Sequence, residues 1–359
     1  MTWLAWRQFR LQACVAVALL AAVAIAFVLT GPHLVHVYDT VVRTCASRGD
    51  CPSVTQSFLG RDHLLRDLSL AVILVPVLVG MFWGAPLIAR EMETGSFRLA
   101  WTQSVTRSRW VAIRLAVVGI ACVSVVGLYS LFVTWWSSPF DTINDNPFSI
   151  FDLRDIVPIG YAAFAFALGV SAGVLIRRTL PAMAATLVVF AGVRVAVTQW
   201  VRPRLISPLH FSGPFKLFTT SNGSPAIPGK GQAGAWITSE VTYNAKGKVI
   251  GHNGGIGSNG GINFQPAGNG SAKVFLKGVG QCPNNFPNLQ GGSNRSNQVS
   301  RAMSEAVNKC LASFHLRDAI TYQPVSRYWA LQWYELSLFI VLALALAGFS
   351  WWWVRRRLS

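Results

Sequence analysis

The sequence predicts an all-α polytopic membrane protein with six transmembrane helices and a loop-rich α+β extracytoplasmic domain between the fifth and the sixth. Three observations predict it. Apolar residues make up 52% of the chain and charged residues only 13%, with a mean hydropathy of +0.42, whereas a soluble domain is about 25% charged. Six apolar stretches are each about 20 residues long, the length a helix needs to cross ~30 Å of hydrocarbon. Lysines and arginines gather at one set of stretch ends and not at the other.

The stretches run from Leu11 to Thr30, Leu68 to Ala89, Val111 to Trp136, Ile156 to Ile176, Leu180 to Trp200 and Trp333 to Val354. Ala24-Ile25-Ala26 mimics a signal-peptidase site, but the first apolar run exceeds a usual signal core and five more follow it. Arg7, Arg10, Arg90, Arg98, Arg107, Arg109, Arg114, Arg177, Arg178 and the run Arg355 to Arg357 all abut one side. On the other side the short loops are balanced or acidic, with Asp141, Asp145, Asp152 and Asp155 set against Arg154. The rule that basic loops stay inside therefore places both termini in the cytoplasm of a multi-pass plasma-membrane protein. The formal net charge of +17 follows from topology and calls for no nucleic-acid partner.

Four regions result. Residues 1–10 read as a cytoplasmic interfacial elbow helix rich in Trp and Arg. Residues 11–200 hold the first five spans and a cytoplasmic coupling segment at 90–110. Residues 201–332 form the extracytoplasmic domain, and 333–359 the sixth span with a basic tail. Within the domain, Trp236 to Ile250 reads as a hairpin turning at Asn244 to Gly247. Lys273 to Val279 is a further strand, and Val299 to Ala312 a helix. Arg194 is expected to snorkel from the fifth span to the external surface.

Cys14 and Cys122 sit in apolar runs. Cys45 and Cys51 share one external loop, and Cys282 and Cys310 share another, where disulfides form if that side is oxidising. A bridge from Cys282 to Cys310 would stabilise a domain with little core by about 3 kcal/mol. Connectivity is left open at this stage.

Catalytic, cofactor-binding and metal-binding signatures are absent from the sequence. It has no phosphate-binding P-loop, no His-Glu-x-x-His, no Gly-x-Ser-x-Gly and no zinc spacing of Cys and His. No span has a central carboxylate, which argues against ion-coupled carriage. A transporter without such groups needs energy from elsewhere. Small residues four apart, Gly80 and Gly84 with the neighbouring Pro76, and Gly169 and Gly173, mark helix packing or a pathway. In the segment after Arg90, Phe97, Trp101 and Val105 share one helical face, which suits either an interfacial helix docking a cytoplasmic partner or one that only anchors the loop.

The run Ala89-Arg90-Glu91-Met92-Glu93-Thr94-Gly95, followed by Arg98-Leu99-Ala100-Trp101-Thr102-Gln103-Ser104-Val105-Thr106-Arg107, resembles the ABC-2 type permeases of ABC exporters, especially their actinobacterial form. The external end, Tyr322-Gln323-Pro324-Val325-Ser326-Arg327-Tyr328-Trp329 with Gln332 and Glu335, and the Arg355-Arg356-Arg357 tail are similar too. The resemblance implies a permease without its own cofactor, paired with a second permease (as homodimer or heterodimer) and with P-loop ATPase subunits that hold ATP and magnesium. It implies that Glu91, Glu93, Gly95, Phe97, Arg98, Trp101, Val105 and Arg107 couple to the ATPase. Membrane lipid is the surrounding partner, and a hydrophobic or amphipathic small molecule the expected cargo. A 130-residue external domain departs from the short element many relatives have there. It leaves open an alternative, a membrane sensor whose domain binds an envelope ligand. A membrane-embedded enzyme would need converging polar groups at depth, and the spans supply none.

Overall fold

The computed structural model describes residues 63–94, 107–144, 147–215, 234–252, 255–256, 262–268, 271–276, 280–287 and 309–357, with positions 21 and 25 besides. Six helices are labelled here: α1 (His63–Thr94), α2 (Arg107–Asn144), α3 (Val157–Ile176), α4 (Thr179–Ala196), α5 (Arg202–Leu205) and α6 (Tyr328–Arg357). A π-helical turn, Val197–Val201, joins α4 to α5. Four stretches are long and apolar enough to cross a membrane: Ala112–Ser137, Val157–Ile176, Thr179–Leu205 and Val325–Arg356. Leu74–Arg90, in α1, is a shorter apolar helix. Among the described residues, four of the six expected spanning helices meet that length and hydropathy. The stretch from Leu11 to Thr30 lies outside the described residues.

Helix α3 is apolar on all its faces, which suits a helix surrounded by others. It packs against α1, α2, α4 and α6, and Tyr161, Ala162, Phe164, Ala165, Val170 and Val174 are all buried along it. Pro158 opens the helix, where a missing N–H costs nothing. At its other end Arg177 takes a left-handed conformation and its N–H donates to the Gly173 carbonyl at 3.0 Å.

Glycine decides how closely α1 and α3 approach. A Cβ added at Gly84 would lie 2.5 Å from the Phe166 carbonyl oxygen, and one at Gly80 2.5 Å from Ala165 Cβ. From the facing helix, a Cβ at Gly169 would lie 2.9 Å from the Ala85 nitrogen, and at Gly173 2.7 Å from the Ala85 oxygen. The two small-residue pairs therefore face one another, so the contact is nearly backbone on backbone. Pro76 and Pro86 lie inside α1, which stays one helix through both. On the opposite flank of α3, the Ser171 hydroxyl lies 2.8 Å from the Ala167 carbonyl, 3.2 Å from that of Leu346 and 2.9 Å from Ser350 Oγ, tying α3 to α6.

Between α5 and α6 the chain forms two antiparallel sheets. The larger has the order β1-β8-β2-β3-β4, from β1 (Leu209–Pro214), β8 (Arg317–Gln323), β2 (Trp236–Tyr243), β3 (Val249–His252) and β4 (Gly255–Ile256). The smaller joins β5 (Ile262–Gly268), β6 (Ser271–Leu276) and β7 (Gly280–Pro287). The expected hairpin is β2–β3, and its turn is held by Asn244. The Asn244 Oδ1 accepts from the backbone N–H of Lys246 and of Lys248, and Gly247 takes φ +75°. The strand expected at Lys273 to Val279 is β6, two residues earlier. Of the helix expected at Val299 to Ala312, residues 309–313 are described and helical. A disulfide joins Cys282 on β7 to Cys310 just before β8, linking the two sheets. Cys45 and Cys51 lie outside the described residues, and Cys122 is a free buried thiol.

One face of the large sheet buries carboxyl groups. Asp318 and Glu240 are 6% and 3% exposed, and Thr242 Oγ1 donates to Asp318 Oδ1 at 2.7 Å. Burial pushes the Asp318 carboxyl up to about 6, against the smaller opposing effect of the Thr242 hydroxyl. Burial, and then the neighbouring Asp318, push Glu240 up as well.

Two outcomes follow from this packing. Gly84→Val should destabilise the detergent-solubilised protein by at least about 1–3 kcal/mol through overpacking, seen as a lower thermal transition. Gly348→Ala, where a Cβ meets nothing within 4 Å, should leave the transition unchanged or raise it. For Asp318, the folded carboxyl titrates above its unfolded value of about 4, so the folded state binds more protons between about 4 and 6. Sheet stability should therefore fall as pH rises through that window and level off above it. Hydrogen exchange of the β8 peptide, corrected for intrinsic rate, should show this slope, and Asp318→Asn should flatten it to the contribution of Glu240.

Candidate functional site

The chain places its buried charges at the end of the bundle that carries the sheets. The π-helical turn after α4 rotates the chain so that Arg202, the first residue of α5, points inward, and it is 6% exposed. Isolated burial of a guanidinium would cost several kcal/mol. Its partners come from three other segments. Arg202 Nε donates to Glu335 Oε2 at 2.7 Å and Nη2 to Oε1 at 2.8 Å, a two-pronged pair with the first turns of α6. Nη2 also pairs with Asp152 Oδ1, from the turn that follows the 3₁₀ helix Pro147–Ile150. The guanidinium lies 4.5 Å from the Phe151 ring centre.

Tyr161, one turn into α3, completes the cluster. Its hydroxyl is 2.5 Å from Glu335 Oε1 and 3.0 Å from Asp152 Oδ1. A phenol has one proton, so it donates to one carboxylate at a time. Arg194, in the last turn of α4, pairs with Asp152 Oδ2 at 3.2 Å and sits 3.9 Å over the Tyr161 ring. The expectation that Arg194 snorkels outward is therefore corrected: a carboxylate and a ring face inside the protein satisfy it better than the interface does. Burial opposes ionisation of Asp152. The charges of Arg194 and Arg202, with hydrogen bonds from Arg202 and Tyr161, outweigh it and hold this carboxyl below the usual range.

A second ring surrounds the first. Arg154 Nε donates to the Tyr328 hydroxyl at 3.1 Å and lies 3.4 Å from Asp155 Oδ2. The Tyr328 hydroxyl donates to Asp155 Oδ2. Asp155 takes a left-handed φ of 62°, held by Ser130 Oγ donating to its carbonyl at 2.6 Å and by its own N–H donating to Thr134 Oγ1 at 3.0 Å. Gln332 of α6 is fully buried and accepts the Val157 N–H at 3.1 Å. It thus supplies the amino-terminal cap that α3 lacks locally. Phe148, Phe151 and Tyr328 stack over this ring, with Trp236 of β2 against Phe148.

Three guanidinium groups meet three carboxylates, so the cluster is balanced and no charge is left over for an ion. Among the described residues no group of three or more His, Cys, Asp or Glu is arranged to hold a metal. Chemically the site is a fastening. It joins the α2–α3 loop, α3, the end of α4 and the start of α6, and both stems of the sheet region leave from it. Gln323 Nε2 donates to the Ile206 carbonyl and Arg327 Nη1 to that of Ser207, each at 2.6 Å. The acidic short loop was the sequence signal for this cluster. Pairing across 133 residues, from Arg202 to Glu335, carries no local signature.

At the opposite end, Glu93 in the last turn of α1 is exposed, and its carboxylate is engaged within the chain. It accepts the Thr179 N–H at 2.9 Å and the Thr179 hydroxyl at 2.8 Å, at the start of α4. Those hydrogen bonds, backbone first, lower its pKa. Glu91 lies in the same helix and Arg107 opens α2. Gly95, Phe97, Arg98, Trp101 and Val105 lie outside the described residues, as do residues 1–10.

A family model described as ABC-2 membrane transporter related matches residues 17–202, just over half of the chain. The match takes in α1 to α4 and ends at Arg202, and the sheets lie beyond it. No curated protein and no solved structure matches the chain.

Glu335→Gln leaves Arg202 buried with its two-pronged countercharge removed. It should cost about 3–5 kcal/mol, measured as loss of monodisperse protein on heating. Arg202→Met combined with Glu335→Leu removes both charges and should recover most of that loss. If the single and double variants melt alike, the pair contributes no such constraint.

Proposed function

We propose that this chain, which belongs to the ABC-2 membrane transporter related family, is the membrane-spanning permease subunit of an ATP-driven ABC exporter. The family match over residues 17–202 is the observation that carries the reading. The apolar spanning helices are consistent with it, and so is a sequence with no P-loop, which assigns ATP and magnesium to a separate ATPase subunit. The chain pairs with a second permease, and cargo passes at the interface between them. Apolar, aromatic-rich spans suit a hydrophobic or amphipathic small molecule. The arginine distribution keeps both termini and the 90–110 segment in the cytoplasm and puts residues 201–332 outside.

Glu91, Glu93, Gly95, Phe97, Arg98, Trp101, Val105 and Arg107 are assigned to coupling. Glu93 gives this a physical route within the chain, because its hydrogen bonds to Thr179 join the start of the coupling segment to the start of α4. Displacement of the segment by the ATPase is then passed to α4 as well as to α1 and α2.

The test is co-purification with the ATPase encoded beside this chain, for the native sequence and for Phe97→Asp with Trp101→Asp. The native protein should retain the ATPase in mild detergent. The double variant should fold, yet lose the ATPase or its stimulated hydrolysis. Absence of any ATPase from the native preparation would reject transport by this mechanism.

A further inference from the structure

Residues 201–332 contain thirteen lysines and arginines but only three carboxylates, Glu240, Glu305 and Asp318. Two of those three are buried in the large sheet, at 3% and 6% exposure. Burial of the carboxylates leaves the exposed charge of the described sheet region entirely positive. The arginines nearest the spans are occupied with the chain itself: Arg204 donates to the Trp200 carbonyl and Arg327 to Ser207 and Gln323. The basic groups at the other end of the sheet are differently placed. Lys246 and Lys248 are exposed on the β2–β3 turn, whose backbone Asn244 holds. Arg317, also exposed, opens β8 and pairs in register with Tyr243, the last residue of β2 before that turn. Among the described residues none of the three has a carboxylate partner.

The distance from the membrane narrows the occupant. Strand β8 runs from Arg317 to Gln323 and leads through a 3₁₀ turn into α6. Its rise of ~3.3 Å per residue carries Arg317 roughly 20 Å along the strand from the end that leads into α6. That length is more than twice the ~8 Å over which physiological salt screens charge, so a strand that stands off the bilayer carries these groups out of reach of its headgroups. We propose that this distal end of the sheet is a docking surface for a polyanionic polymer of the cell envelope. The proposal rests on the topology given above. It extends that reading by giving the domain a partner. The stems transmit the contact, because β1 and β8 are zipped in register from Leu209↔Tyr322 to Pro214↔Arg317 and both lead into the Arg202–Glu335 cluster. An occupied head therefore loads α4 and α6 directly.

The experiment uses the full-length protein in nanodiscs of zwitterionic phosphatidylcholine and, as probe, fluorescent long-chain inorganic polyphosphate. The native protein should bind it at low salt and weaken as salt rises. Lys246→Gln with Lys248→Gln and Arg317→Gln should bind roughly tenfold more weakly or worse, as loss of exposed charge does at such contacts. The variant with only the two turn substitutions should fall between them. Retention of the Cys282–Cys310 disulfide by mass spectrometry and an unchanged elution volume establish that the variants are folded. Equal binding by native and triple variant, no binding by either, or capture of phosphatidylglycerol vesicles in preference to the polymer overturns the proposal. Labelling of Lys246→Cys in intact cells with an impermeant maleimide separates the two readings. Labelling only after permeabilisation defeats the topology, whereas labelling in intact cells with equal polymer binding defeats this inference alone.

Discussion

A guanidinium group held away from water sets the terms for the sheet-bearing end of this protein. Arg202 cannot be neutralised at any ordinary pH, so its charge must be matched where it lies. The match draws together Glu335, Asp152 and Tyr161, which come from α6, the α2–α3 loop and α3. Each of those segments is then fixed relative to the end of α4. The desolvation of such charges is offset only where contacts are short and the geometry good, so the arrangement tolerates little sliding. It makes that end of the bundle one unit, and the sheets are mounted on it through zipped stems.

The rest of the bundle is held by a different kind of contact. In hydrocarbon, lipid tails compete with side chains for apolar surface, so helices gain from close packing more than from hydrophobicity. The α1–α3 contact meets this with Gly80 and Gly84 on one helix and Gly169 and Gly173 on the other. The serine contacts of Ser171 with α6 add a polar fastening on the other flank. Helix α3 is thus gripped on two sides, while α4 keeps Leu180, Val188 and Val195 exposed. Helix α4 is held at both ends, by Glu93 at Thr179 and by Arg194 at Asp152.

Much of this was legible in the sequence. Four apolar stretches of span length among the described residues, the β2–β3 hairpin with its Asn-to-Gly turn, and the glycine pairs are local patterns, and local patterns survive without a partner. The motif from Ala89 to Gly95 led to the same family as the match over residues 17–202. Arg194 shows where local reading stops. A lone arginine near a span end most simply reaches for water, and nothing within a helical turn of it hints at Asp152. Glu93 is similar. Its position beside the segment expected to couple to an ATPase suggested a partner outside the chain, and the tertiary structure gives it Thr179, 86 residues away.

By itself the sequence determined that the chain is a membrane protein, where its apolar helices lie and to which family it belongs. Hydrocarbon thickness, backbone hydrogen bonding and helix periodicity act on contiguous residues. Tertiary structure alone decided which charges neutralise which, which glycines face one another, and that the surviving exposed charge of the sheet is positive. Those outcomes depend on which distant residues are brought within a few ångströms, and Coulomb attraction and close packing have no reach along the chain that a linear pattern records.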